Sequence, residues 1–100
     1  MTLSISVGHK ELEPICRKWK VRELALFGSV LREDFGPDSD VDVLVSFEPD
    51  AAWSLFDIVA LKEELRAILG REVDLVEREA IRNPFRRSRI LSTREILYAG

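Results

Sequence analysis

The stretch from Asp40 to Phe47, DVDVLVSF, limits the possible folds of this chain more tightly than any other. Its valines recur at every second residue. Period two is the mark of a strand, where successive side chains point to opposite faces. Val41, Val43 and Val45 therefore predict one buried face, and Asp40 and Asp42 share the other. At ~3.3 Å rise per residue the two aspartate Cα atoms lie about 6.6 Å apart. Like charges at that spacing repel by roughly 2–3 kcal/mol at an effective dielectric of ~20. Water offsets this on an open face, and a divalent cation offsets it better. Taken alone, an Asp-x-Asp pair following the turn PDSD is more often a solvated strand face than a metal site.

The rest of the chain supplies partners for this strand. Residues 9–19 space Leu12, Ile15, Cys16 and Trp19 as an amphipathic helix does. Val21 to Phe27 predicts a strand, with Leu24 and Leu26 on one face and Ala25 and Phe27 on the other. Gly28-Ser29 breaks it, and Val30 to Phe35 reads as a short helix. After GPDSD and the strand Val41 to Phe47 comes the longest helical pattern, with Leu55, Ile58, Val59, Leu65, Ile68 and Leu69 as its apolar stripe. Ser54 and Asp57 have capping-box spacing, and Gly70 is a natural stop. Glu72 to Val76 predicts a third strand, and Pro84 opens a basic last helix containing Ile90, Leu91 and Leu97. The expected fold class is α/β, a small sheet of about three or more strands flanked by helices.

Length and composition set outer bounds. One hundred residues predict a single domain spanning 1–100. A chain with 46% hydrophobic and 33% charged residues is not of the disordered type. The net charge of −3 argues against direct nucleic-acid binding. It hides an asymmetry, since six arginines fall between Arg78 and Arg94. That segment reads either as a solvated helix face or as a surface for polyphosphate or an acidic partner. Cys16 is the single cysteine, so no internal disulfide is expected. No secretory signal or membrane-spanning run is visible, which makes a cytoplasmic location the default.

Asp74 and Gly28-Ser29 change the weight of the Asp-x-Asp pair. Asp74 lies inside the apolar run VDLV, where a lone carboxylate is costly to bury unless it is paired or metal-bound. Its plain alternative is an edge-strand charge that blocks aggregation. Glycine at a strand end, with a helix directly after it, offers free N–H groups and a positive dipole end to phosphate. Its plain alternative is an ordinary turn with Ser29 as N-cap. Taken together, a phosphate cradle, a paired-carboxylate strand and a third carboxylate on another strand are the parts that metal-assisted nucleotidyl transfer requires. Mg²⁺ suits such oxygen donors.

At these residues the chain resembles a known family. LFGSVLREDFGPDSDVDVLVSF is similar to the pattern Gly-Ser, ten residues, Asp-x-Asp of the DNA polymerase β nucleotidyltransferase superfamily. The closest resemblance is to the minimal nucleotidyltransferase (MNT) domains, and it extends through the long helix and EVDLV over nearly the whole chain. The resemblance implies catalytic and metal-binding roles for Asp40, Asp42 and Asp74, with two Mg²⁺ ions. It implies nucleotide-phosphate contacts for Gly28, Ser29 and Arg32, and ATP as the donor. Val30, Leu31 and Glu33 depart from the Arg-Ala-Arg-Gly that many relatives carry after Gly-Ser.

The resemblance also implies a partner. MNT proteins accompany small helical HEPN proteins, and the pairing implies an antitoxin that transfers AMP to a hydroxyl of a HEPN-like toxin, within a homo- or hetero-oligomer. Trp53 and the Arg78 to Arg94 segment are the candidate contact surfaces. Two other readings stand beside this one: a non-catalytic antitoxin that masks its partner, and a small-molecule nucleotidyltransferase. The absence of a second, acceptor-binding domain ranks the last of these lowest.

Overall fold

The computed structural model describes residues 9–28 and 40–99. The short helix expected at Val30 to Phe35, and with it Ser29 and Arg32, lies outside the described residues. In chain order the elements are α1 (His9–Lys18), β1 (Val21–Phe27), β2 (Val41–Phe47), α2 (Leu55–Leu69), β3 (Val73–Glu77), a 3-10 turn (Arg78–Ala80), α3 (Pro84–Thr93) and β4 (Glu95–Ala99). The four strands form one sheet in the order β3-β2-β1-β4. β1 pairs antiparallel with both β2 and β4, and β2 pairs parallel with β3. The parallel pair needs a crossover, and α2 supplies it.

The alternation read from the sequence divides the core in two. Leu24, Leu26, Val41, Val43, Val45 and Val73 pack with Leu12, Cys16, Trp19, Leu61 and Leu65, so α1 and α2 cover one face of the sheet. Ala25, Phe27 and Leu44 turn the other way and pack with Ile81 and Ile90, so α3 covers part of the second face. The sheet is thus buried on both sides, in keeping with a strand, β2, that is apolar on both faces apart from its acidic start and Ser46.

Local chemistry sets the ends of α2. The Ser54 side chain accepts from the Asp57 backbone N–H while the Asp57 carboxylate accepts from the Ser54 N–H, a complete capping box. Gly70 takes the left-handed conformation at φ 67° and donates its N–H to the Arg66 carbonyl. The stripe of α2 differs from the sequence expectation. Leu61 and Leu65 are its buried residues, whereas Leu55 is 77% exposed and Val59 is 50% exposed. The helix packs through Leu61, Leu65, Ile68 and Leu69, and Leu55 and Val59 fall outside that set.

Two further expectations need correction. β3 runs one residue later than the expected Glu72 to Val76. The last helix stops at Thr93, and Leu97 belongs to a fourth strand. Arg94 makes that break: its Nε donates to Glu23 Oε2 at 2.6 Å, and its Nη1 donates to the Leu91 carbonyl. Trp53, named above as a candidate contact surface, is half-buried against α1. Its indole N–H donates to the Trp19 carbonyl at 2.7 Å, and the two rings meet edge-on with centroids 5.1 Å apart. Trp19 Nε1 in turn donates to Glu64 Oε2 at 2.5 Å, tying α1 to α2.

Cys16 sits inside the α1–α2 layer, and burial pushes its thiol from the ordinary 9.0 up to about 12. The protonated form is the one the fold favours. Its contribution to stability is therefore complete below about pH 9 and is lost as the pH rises toward 12. A disulfide-exchange reagent at pH 8 is expected to label the folded chain at least about 100-fold more slowly than the urea-unfolded chain. Equal rates would place Cys16 at the surface.

Candidate active site

The site is built where β1 ends and β2 and β3 begin, on the α3 side of the sheet. Val41, Val43 and Val45 pack toward α1 and α2, so alternation turns Asp42 toward the face that holds Leu44. The parallel register pairs Asp42 with Asp74. On β3, Leu75 packs toward α1 and α2 and Val76 toward α3, so Asp74 shares the face of Asp42. Neighbouring strands lie about 4.8 Å apart, which puts two carboxylates side by side on adjacent strands. Asp42 is half-buried, while Asp74 and Asp40 are exposed. Asp40 directly precedes β2, and the Val41 N–H beside it donates to the Glu72 carbonyl at 2.8 Å, fixing the approach of the chain.

Gly28 completes the described part of the site. Phe27 at the end of β1 pairs with Asp42, and Gly28 follows at φ 74°, in the left-handed region. A β-carbon at Gly28 would overlap Asp42 Oδ2. Glycine is therefore favoured by the backbone conformation, and any β-carbon here would oblige the Asp42 carboxylate to move. This adds a structural reason for a glycine that the sequence marked as a strand end and as a candidate phosphate contact.

The donor set can be tested against a metal ion. The structure brings Asp42 and Asp74 into register on one face, with Asp40 at the entry of the same strand. Among the described residues no group of three or more histidine, cysteine or acidic side chains is drawn together tightly enough to hold a metal ion. The oxygen chemistry nonetheless fits a hard divalent cation, since Asp40 and Asp74 are exposed side chains carried on, or directly before, strands in register. Side-chain rotation, rather than any movement of strands, would complete such a site.

Sequence reasoning missed two polar features on this face. Buried Ser46 donates its hydroxyl to Glu79 Oε1 at 2.7 Å, and Glu23 pairs with Arg94 at 2.6 Å with both side chains largely covered. Both hold the surroundings of the site together: the first joins β2 to the 3-10 turn, and the second joins β1 to the end of α3. No motif marks either pair, because their partners lie 33 and 71 residues apart.

Comparison with known proteins agrees with this geometry. The family model for the nucleotidyltransferase domain matches residues 10–97. Protein adenylyltransferase MntA of Thermococcus cleftensis is 37% identical over 95 residues, covering 95% of this chain and 89% of its own length. A solved structure provisionally assigned as a minimal nucleotidyltransferase is 31% identical and superposes with a TM-score of 0.71, covering 87% of this chain and 86% of that one. A complex of tri-AMPylated Shewanella oneidensis HEPN toxin with MNT antitoxin gives a TM-score of 0.63 at 19% identity, over 92% of this chain and 70% of that one, a likeness of fold. By its matched length, its relatives and the carboxylates it sets in register beside Gly28, the chain belongs to the nucleotidyltransferase domain family.

Proposed function

We propose that this chain is a single-domain protein adenylyltransferase, residues 1–100, that moves AMP from ATP to a hydroxyl of a HEPN-like partner protein and so acts as its antitoxin. The observation that carries the reading is the register of Asp42 with Asp74 on adjacent parallel strands, beside a glycine in the left-handed conformation. Its relative MntA carries the same activity in its name, and a structural neighbour is an MNT antitoxin bound to an AMPylated HEPN toxin.

In this reading Asp40, Asp42 and Asp74 hold two Mg²⁺ ions, and Gly28, Ser29 and Arg32 receive the phosphates. When bound, such ions would neutralise the triphosphate and stabilise the entering and leaving oxygens. The partner's hydroxyl oxygen forms a bond to the α-phosphorus, the bond from that phosphorus to the β-phosphate bridging oxygen breaks, and pyrophosphate leaves. In the same reading Asp74, the more exposed of the registered pair, accepts the hydroxyl proton. Gly28 lets the donor's phosphates approach the backbone, and Asp42, packed against it, is held in one position.

The test is intact-mass spectrometry of the cognate partner after incubation with the chain, ATP and Mg²⁺. One or more adenylate increments on the partner, with pyrophosphate released in equal amount, are expected. A partner that gains no mass yet is still inhibited by the chain would establish masking instead of transfer.

A further inference from the structure

The arginine-rich segment is not used by the chemistry above. From Ala80 to Arg94 the chain carries five arginines and no acidic residue. Arg94 is committed to Glu23. Arg82, Arg86, Arg87 and Arg89 make no ion pair with any described residue. Arg82, Arg86 and Arg89 are exposed, and Arg87 is half-buried. Asn83 caps this helix by accepting from the Phe85 and Arg86 N–H groups, so the arginines stand on a fixed turn.

Two further features lie on the same helix. Phe85 is 85% exposed, an unusual position for a large aromatic residue. Pro84, Arg87, Ser88, Leu91 and Ser92 line a hollow of about 530 Å³. An aromatic anchor, an apolar-walled hollow and unpaired guanidinium groups are the ingredients of a protein-docking surface, in which Arg and Phe are enriched.

The location of this surface gives it a use. Ile90 of α3 packs with Ala25, Phe27 and Leu44, on the face that also carries Asp42 and Asp74. α3 therefore stands over the same face of the sheet as the carboxylates. We infer that the outer surface of α3 docks an acidic segment of the protein substrate and so holds its accepting hydroxyl near the Asp42–Asp74 edge. The inference rests on the protein-acceptor reading above and adds to it the chemistry of the acceptor's docking segment. A polynucleotide is the poorer occupant, because the hollow between the arginines is walled partly by apolar side chains and not by basic ones alone. The apolar walls at Pro84 and Leu91 suit side chains.

The experiment uses the full chain and three fluorescent probes: a random Glu–Tyr copolymer, a Lys–Tyr copolymer and a single-stranded oligoadenylate RNA. The wild-type chain is expected to bind the Glu–Tyr copolymer and not the Lys–Tyr one, with affinity falling as salt rises. R86E/R89E should lose about tenfold or more of that affinity, and the milder R89Q about two- to threefold. Mg²⁺–ATP affinity, measured in parallel, should be the same in all three chains. Copolymer binding that is absent, or equal in wild type and variants while ATP binding is intact, overturns the docking inference alone. Loss of ATP binding in the wild type overturns the adenylyltransferase reading instead. RNA bound more tightly than the copolymer, and released by R86E/R89E, makes α3 a polynucleotide surface and overturns the proposal.

Discussion

Asp42→Asn is expected to lower adenylate transfer by roughly 10³-fold, the scale seen when one preorganised charge-stabilising group is removed from a transfer site, while leaving the fold intact. The substitution keeps the shape of a half-buried side chain packed against Gly28, so no cavity opens and no β-carbon is crowded. Only charge is removed. Asp42 lies in register with a second carboxylate, and the amide alters charge without altering shape. The chain should still unfold in one cooperative thermal transition, while transfer collapses. A fold kept and an activity lost are expected of a functional carboxylate. Thermal denaturation together with partner mass spectrometry measures both. Transfer at the wild-type rate would remove Asp42 from the catalytic machinery.

Much of this site is legible in the sequence because period two is a hard geometric rule. Once β2 is a strand, the valines fix which face the aspartates take, and Asp74 follows by the same argument on β3. What the sequence does not carry is the pairing. The register of Asp42 with Asp74 depends on where the α2 crossover lands, and that is set by the packing of Leu61 and Leu65 across the sheet. The reason for Gly28 is hidden in the same way, because Asp42 Oδ2 approaches it from a different strand.

β4 was illegible for another reason. Nothing in Ser92-Thr93-Arg94-Glu95 is a turn signal, so the helical pattern runs on through Leu97 when read locally. The helix ends because Arg94 is held by Glu23, a residue of β1. A tertiary ion pair sets that boundary, and Ile96 pairs with Ala25 on the free side of the sheet. The last strand therefore depends on a contact 71 residues away in sequence.

The rotation of α2 is the remaining discrepancy, and its consequence is large. Leu61→Ala is expected to destabilise the chain by about 2–5 kcal/mol, the range for truncating a fully buried leucine. Leu61 has no exposed surface and packs in the layer formed by Leu12, Leu24, Leu26 and the three β2 valines. Small domains have only about 5–15 kcal/mol of stability in all. At about 4–8 °C per kcal/mol for a domain of this size, the melting temperature should fall by at least ~8 °C. Leu55→Ala makes the contrast. That side chain is 77% exposed, and its truncation should change stability by no more than about 0.5 kcal/mol. Both residues are leucines of one helix, so helix propensity is matched and only burial differs. A loss at Leu55 equal to that at Leu61 would turn α2 back to the orientation that the sequence stripe alone suggests. It would also displace the crossover that brings Asp74 alongside Asp42.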